Sequence, residues 1–432
     1  MNITKEDQEI NKALLDFIEN SPSVFHGVNQ MSRRLSREGY VKLSEKEPWD
    51  LHVGGKYFVT RNDSAILAFR IPEKGLLGFH IMASHSDSPT FKIKENPEIG
   101  VESHYVKLNV EKYGGMLMAP WFDRPLSVAG RIIVETKEGL KSQLVSVDRD
   151  LCLIPNLAIH MNRSANDGYK YNVQKDLLPL FACGECKDHK FMELIAETAG
   201  VREEEILGSD LFLYNRMKGS QWGADLEFIS SGRLDDLQCA YASLEGFLSS
   251  ETKESMPVHV VFDNEEVGSG TKQGAASTFL VDSLLRICES LGISAGDYRR
   301  LLAGSFMLSA DNAHGLHPNY PEMSCLTNRP YLNSGVVMKY SANQKYTTDG
   351  MSAAIFKSLC KKAQIPYQIF HNRSDMLGGS TLGNLSALQV PVRTVDIGLA
   401  QLAMHSPYET AGAKDTAYMI RLAQEFFASE TF

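Results

Sequence analysis

The sequence predicts an α/β protein in which a mostly parallel sheet is interrupted by a β-rich insertion. Near-continuous apolar, β-branched runs such as VHVVF at 258–262 read as strands covered on both faces. In the first and last parts of the chain such runs alternate with helical patterns, the order that builds a parallel sheet. Between 95 and 223 the pattern changes to short β-like segments with Gly-Gly, Asn-Asp-Gly and Pro turns. The expected division is a discontinuous domain of residues 1–94 and 224–432 and an inserted β-rich domain of residues 95–223. A chain of 432 residues at 43% hydrophobic composition is long enough for two cores.

In chain order, residues 7–18 have helical apolar spacing closed by Ser21, Pro22 and Ser23, and a second helix follows. YFVT, SAILAFRI and LLGFHIMAS read as strands, the last running straight into His85, Ser86 and Asp87. RIIVE and QLVSV belong to the insertion. After Trp222 the alternation resumes with the strand EFISS, the helix LDDLQCAYASLEGFLSS, the strand PVHVVFD and a helix over 275–291. No repeat of fixed period occurs.

Composition narrows the function classes. A formal net charge of −9 offers no basic surplus to displace counterions, which argues against nucleic acid or an anionic membrane as partner. No secretory leader and no membrane span are expected from the pattern. Seven cysteines without framework spacing read as free thiols in a reducing cytoplasm.

The chemistry is expected at strand ends, because open α/β sheets place their sites beyond the carboxyl ends of their strands. VHVVFDNEEVG delivers Glu265 and Glu266 at such an end, although acids are also favoured in the first turn of a following helix. His85 follows HIMAS, Asp235 follows EFISSGRL, Asp311 follows FMLSA, and His405 lies beyond LAQLAM. Two histidines and three carboxylates form a nitrogen and oxygen set suited to a pair of divalent metals such as Zn, Mn or Co, one carboxylate bridging. Each member alone reads more simply as a buried hydrogen-bonded residue. Their recurrence at five ends is what carries the inference.

Other signals are weaker. Gly268, Gly270 and Gly274 have the wrong spacing for a dinucleotide loop and follow two acids that would repel a pyrophosphate. Cys183 and Cys186 form a lone C-x-x-C near His189, with no second pair, and read as a surface loop. Asn162-Arg163-Ser164 matches a glycosylation acceptor by chance, and Glu203, Glu204 and Glu205 read as a solvated face near a helix start.

ASHSDSP around His85, SGRLDDL around Asp235, DNEEVGS around Glu265, SADNAHGLHPNY around Asp311 and LAMHS at His405 together resemble the aspartyl aminopeptidase family over essentially the whole chain. The resemblance implies a di-zinc exopeptidase with an α/β/α sandwich catalytic domain and an inserted β-rich domain that takes part in assembly. It also implies a tetrahedral homododecamer built from dimers and peptide substrates. Asp235 would bridge two zinc ions, with His85 and Asp311 completing opposite sides with Glu266 and His405. Glu265 would be the base, and Asp87 would orient His85. His160 in IPNLAIHMNR would reach a neighbouring subunit's site and bond the developing oxyanion. Lys339, at the end of GVVM, would face an acidic substrate side chain. Two positions depart from the family: Asp236 stands where Asn often follows the bridging Asp, and Asn156 stands where animal members have His. A related di-metal amidohydrolase of neutral or broad specificity would use the same ligands, and an inactive assembly protein would keep them as structural sites.

Overall fold

The computed structural model describes residues 2–186, 190–376 and 378–430, so His189 beside the C-x-x-C lies outside the described residues. Helix α1 (Lys5–Glu19) begins in a capping box: the Thr4 hydroxyl accepts from the Asp7 N–H, and the Asp7 carboxylate accepts from the Thr4 N–H. Helix α2 (Val24–Arg37) follows. The chain then lays down β1 (Val41–Leu43), β2 (Lys56–Arg61), β3 (Ala65–Arg70) and β4 (Phe79–His85). Every residue of β3 and β4 is buried, as apolar runs without alternation predict.

An antiparallel sheet comes next. It is built from β5 (Thr90–Val101), β6 (Tyr105–Tyr113), β7 (Leu126–Thr136), β8 (Gly139–Ser146), β9 (Leu180–Cys183) and β10 (Ile206–Asn215), with helices α3 (Val173–Asp176) and α4 (Lys190–Ala199) in the connections. Its order is β8-β7-β10-β5-β6-β9. It has its own core, around Phe91, Leu108, Ile132, Phe191 and Leu211. Residues 94 and 95, where the sequence reading sets a boundary, both lie within β5, because Thr90 and Ile93 already pair with Tyr113 and Val110 on β6. Glu203, Glu204 and Glu205 form a short 3-10 turn tied to the Arg202 guanidinium rather than a helix start.

The remainder runs β11 (Ser220–Trp222), β12 (Phe228–Ser231), α5 (Leu234–Ser249), β13 (Met256–Phe262), α6 (Phe279–Ser290), α7 (Ala295–Ala303) and β14 (Phe306–Ala310). It continues through β15 (Ala313–His314), β16 (Val336–Tyr340), α8 (Gly350–Lys362), β17 (Tyr367–His371), α9 (Leu382–Ser386), β18 (Arg393–Gly398), β19 (Ala400–Leu402), β20 (Glu409–Gly412) and α10 (Asp415–Ala428). The main sheet has nine strands in the order β1-β2-β3-β13-β4-β14-β18-β16-β17. Its centre, β13-β4-β14-β18, is parallel, whereas β2-β3, β3-β13 and β18-β16 are antiparallel.

Successive residues on a strand face opposite sides, and both sides are covered. Met82, Val261 and Leu308 pack with α2, α5, α8 and α10, while Ile81, Val260 and Met307 pack with α6, α7 and α9. The sheet is thus the middle layer of an α/β/α sandwich. Helix α6 starts at Phe279 rather than at residue 275, because residues 274–278 are held in turns by Ser277 N–H to Gly274 O and Ala276 N–H to Ser269 O. All seven cysteines are free thiols. Among the described residues no helix is long and apolar enough to cross a membrane.

Candidate metal centre

Because β4 runs parallel between β13 and β14, the carboxyl ends of the three strands lie side by side. His85 is the last residue of β4, Asp263 follows β13, and Asp311 follows β14. Asp235 sits at the start of α5 with non-helical angles of φ −81° and ψ 108°, so its side chain leaves the helical path. Glu265 and Glu266 occupy a 3-10 turn entered through Asn264 at φ 61°. His405 has φ 67°, in the turn between β19 and β20.

These elements bring the five candidate ligands together in groups. His85, Asp235 and Asp311 form one group, and Asp235, Glu266 and His405 form another; within each, the donor atoms lie within 4.8 Å of one another. His85, Glu265 and Glu266 form a third group of the same kind. His85 Nε2 is 3.5 Å from Asp235 Oδ1 and 3.7 Å from Asp311 Oδ1, and His405 Nε2 is 3.7 Å from Asp235 Oδ2 and 3.4 Å from Glu266 Oε2. Such separations are at or beyond the limit of a good hydrogen bond. They match the edge of a tetrahedron, about 3.4 Å, around an ion with bonds of about 2.1 Å. Asp235 Oδ1 and Glu266 Oε1 are buried and accept no hydrogen bond, which fits oxygens directed at a cation.

The electrostatics agree. Burial pushes the Glu266 carboxyl well above its ordinary range, Asp235 adding to the rise while His85 opposes it. His85 is buried, which alone would lower it, yet Asp235, Asp311 and Asp87 raise it well above the usual imidazole value. A crowd of buried acids competing for protons is relieved when a divalent cation takes the protons' place.

Supporting contacts fix the candidate ligands. His85 Nδ1 lies 3.0 Å from Asp87 O and 3.3 Å from Asp87 Oδ1. The fully buried Asp87 carboxylate also accepts from the Glu265 N–H, the Glu266 N–H and the Tyr113 hydroxyl, at 3.1, 3.1 and 2.7 Å. One carboxylate therefore sets the imidazole and both glutamate backbones. Asp236, the family departure, accepts the His85 N–H at 3.1 Å. Burial, opposed by His85 and reinforced by Asp311 and Asp235, pushes its carboxyl well up, toward the neutral form that an asparagine has at every pH. The sequence reading did not find Glu409. Its buried carboxylate accepts from the Asp235 N–H at 3.0 Å and the His405 N–H at 2.8 Å, clamping ligands from two distant segments. Its one sequence signal is its place four residues after His405.

A cavity of about 130 Å³ opens on this cluster, and the rest of its lining includes His314, Lys339, Tyr346, Phe370, residues 379–381 and Met404. A larger cavity of about 220 Å³ lies behind Asp87 and Glu409 and is lined by none of the five candidate ligands. Lys339 is not at the strand end that the sequence suggests. It is the fourth residue of β16 and 1% exposed, and its ammonium donates to Asp311 O at 2.7 Å, Asn312 O at 3.2 Å and Asp311 Oδ2 at 3.4 Å. Although burial acts to raise the Asp311 carboxyl, Lys339 and His85 hold it well below the usual range. His160 is not part of this cavity. It is exposed on the segment 155–161 between β8 and β9. Asn156 donates from its N–H and side-chain amide to the Asp123 carboxylate at 3.0 and 2.7 Å.

Comparison with known proteins agrees with this geometry. The profile of the aminopeptidase I zinc metalloprotease (M18) family matches residues 17–427. A "Probable M18 family aminopeptidase 2" of Clostridium acetobutylicum is 46% identical over 430 residues, covering 98% of this chain and 99% of that protein. Among solved structures, the cryo-EM structure of the Ape4 and Nbr1 complex superposes with a TM-score of 0.95 at 35% identity, covering 99% of this chain and 88% of that one. The mApe1 dodecamer of S. cerevisiae superposes with a TM-score of 0.86 at 27% identity, covering 97% and 96% of the two chains.

Proposed function

The chain belongs to the M18 family and is a zinc-dependent aminopeptidase, and on that premise we propose that it holds two zinc ions per subunit. Asp235 would be shared by the two, His85 and Asp311 would help hold one, and Glu266 and His405 would help hold the other. The observation that carries this reading is the pair of three-residue groups sharing Asp235. Manganese or cobalt would suit the same donors. When bound, the ions polarise the scissile carbonyl and acidify the attacking water.

Glu265 is the base. It belongs to neither of the two groups that share Asp235, yet lies within reach of His85 and Glu266. Burial raises its carboxyl, His85 opposes, and Asp311, Asp87 and Asp235 add to the rise. A group that takes a proton and returns it to the leaving amine works best with a pKa near the operating pH. Asp87 positions it through the Glu265 N–H, and orients His85 at the same time.

The rest of the cavity lining bears on which residue is removed. Lys339 places a desolvated cation there, which favours Asp or Glu at the substrate's N-terminus. A neutral or broad preference draws on Tyr346, Phe370 and Met404 in the same lining, and on the bonds the ammonium already makes. The test is kcat/KM for aspartyl, glutamyl, leucyl and lysyl substrates. Acidic substrates are expected to lead, and Lys339→Ala should cut their rates about tenfold more than leucyl rates. A wild type that prefers leucyl or lysyl substrates removes the acidic preference and leaves the aminopeptidase intact.

The relative solved as a dodecamer supports a homododecamer for this chain, built from dimers in a tetrahedral shell. Residues 95–223 would form a separate assembly domain between the two parts of a catalytic domain, 1–94 and 224–432. Exposed Leu157, Ile159 and Met161 flank His160 and supply an apolar surface for a neighbour, into whose site His160 would reach to bond the oxyanion. Free thiols fit a cytoplasmic protein.

A further inference from the structure

Much of the cavity lining beyond the candidate metal ligands is irregular chain. Tyr346 precedes α8 in a segment without helix or strand, and residues 379–381 precede α9 in another. Irregular segments hold a shape only where something anchors their polar groups.

Both segments are anchored on one side chain. Asp396, in the middle of β18 and fully buried, accepts at Oδ2 from the Thr347 N–H at 2.5 Å and the Thr347 hydroxyl at 2.7 Å. At Oδ1 it accepts from the Thr381 hydroxyl at 2.6 Å. Its own N–H donates to the Thr348 hydroxyl at 3.0 Å. Thr381 stands at the N-cap of α9 but makes no side-chain cap, its hydroxyl being spent on Asp396 instead. The approach is close: a Cβ on Gly383 would lie 2.7 Å from Asp396 Oδ1, so only glycine lets the first turn of α9 come this near.

Asp396 also stands beside the cation of this lining. β16 and β18 pair antiparallel with Val337 opposite Gly398 and Met338 opposite Ile397, and one further step sets Lys339 opposite Asp396. Directly opposed residues present their side chains on the same face. The carboxylate thus contributes to the field felt by the Lys339 ammonium.

We propose that Asp396 is a positioning residue for substrate selection: by holding Thr347 and Thr381 on one carboxylate behind Lys339, it sets the width and charge of the wall that receives the substrate's N-terminal side chain. It does not touch substrate itself, being fully buried. The proposal rests on the aminopeptidase reading of the site.

The test compares wild type with Thr381→Val, Thr347→Val and Asp396→Asn, measuring kcat and KM separately on aspartyl, glutamyl and leucyl substrates, with zinc content and thermal midpoint on the same preparations. Each valine exchange removes a hydroxyl at nearly constant volume, so these variants are expected to fold. The expected result is a KM raised roughly five- to tenfold per lost hydrogen bond, a changed ratio of acidic to leucyl kcat/KM, and kcat and zinc content near wild type. Asp396→Asn should change the ratio most, because it also removes the charge beside Lys339. Unchanged KM and unchanged ratio in folded, zinc-loaded variants would overturn the proposal, as would a proportional loss of kcat on every substrate, which marks a general structural role. A wild type without aminopeptidase activity would instead strike the reading of the site itself.

Discussion

Glu265 and Glu266 are adjacent in sequence, and their backbone N–H groups share the Asp87 carboxylate, yet the proposed mechanism gives the two side chains different work. Glu266 Oε2 faces His405 across 3.4 Å and its Oε1 is an orphan, as a ligand requires. Glu265→Gln is expected to keep zinc and shape while activity falls by about three orders of magnitude or more, since only proton transfer is removed. Glu266→Gln should lower zinc affinity first, measured by chelator competition. Near-normal turnover of a fully zinc-loaded Glu265→Gln protein would reverse the roles. The residues at strand ends were legible in the sequence because an apolar run that stops on His or Asp marks its own boundary. Glu409 was not, because a carboxylate that works through two backbone N–H groups leaves no pattern until the turns carrying them are folded together.

At the scale of elements, the site depends on how closely β18 passes β14. The parallel pairing runs from Phe306 opposite Arg393 to Ala310 opposite Ile397, and Gly398 is the next residue. A Cβ on Gly398 would sit 1.9 Å from Asp311 O, the same carbonyl that accepts the Lys339 ammonium at 2.7 Å. Gly398→Ala is therefore expected to displace Asp311. Destabilisation of roughly 1–3 kcal/mol is expected from the overpacking, together with weaker zinc retention, read from the unfolding midpoint and a metal assay. A fully stable, fully loaded Gly398→Ala protein would show that this approach does not set the ligand. The buried strands β3, β4 and β13 were legible from unbroken apolar runs. The antiparallel placement of β3 and β16 was not, because direction in a sheet is decided by connections and partners rather than by a strand's own residues.

At the scale of the whole molecule, the sandwich supplies every candidate ligand from one chain, while His160 stands exposed on a segment outside that cavity. If His160 serves a neighbour's site, mixed assemblies of His160→Ala and Glu265→Gln chains should recover partial activity through sites that receive one intact residue from each. No recovery in verified mixed assemblies would count against donation between subunits. That question was open in the sequence because a residue acting across an interface has no partner in its own chain to reveal it. The proposed activity depends on the metals. Its most direct test removes zinc with a chelator and restores it stepwise, with bound zinc per chain and hydrolysis of aminoacyl substrates measured on the same sample. Saturation is expected at two zinc ions per chain, with full activity returning only as both groups that share Asp235 are filled. An active protein free of transition metal, or a fully loaded one that hydrolyses no aminoacyl substrate, would contradict it.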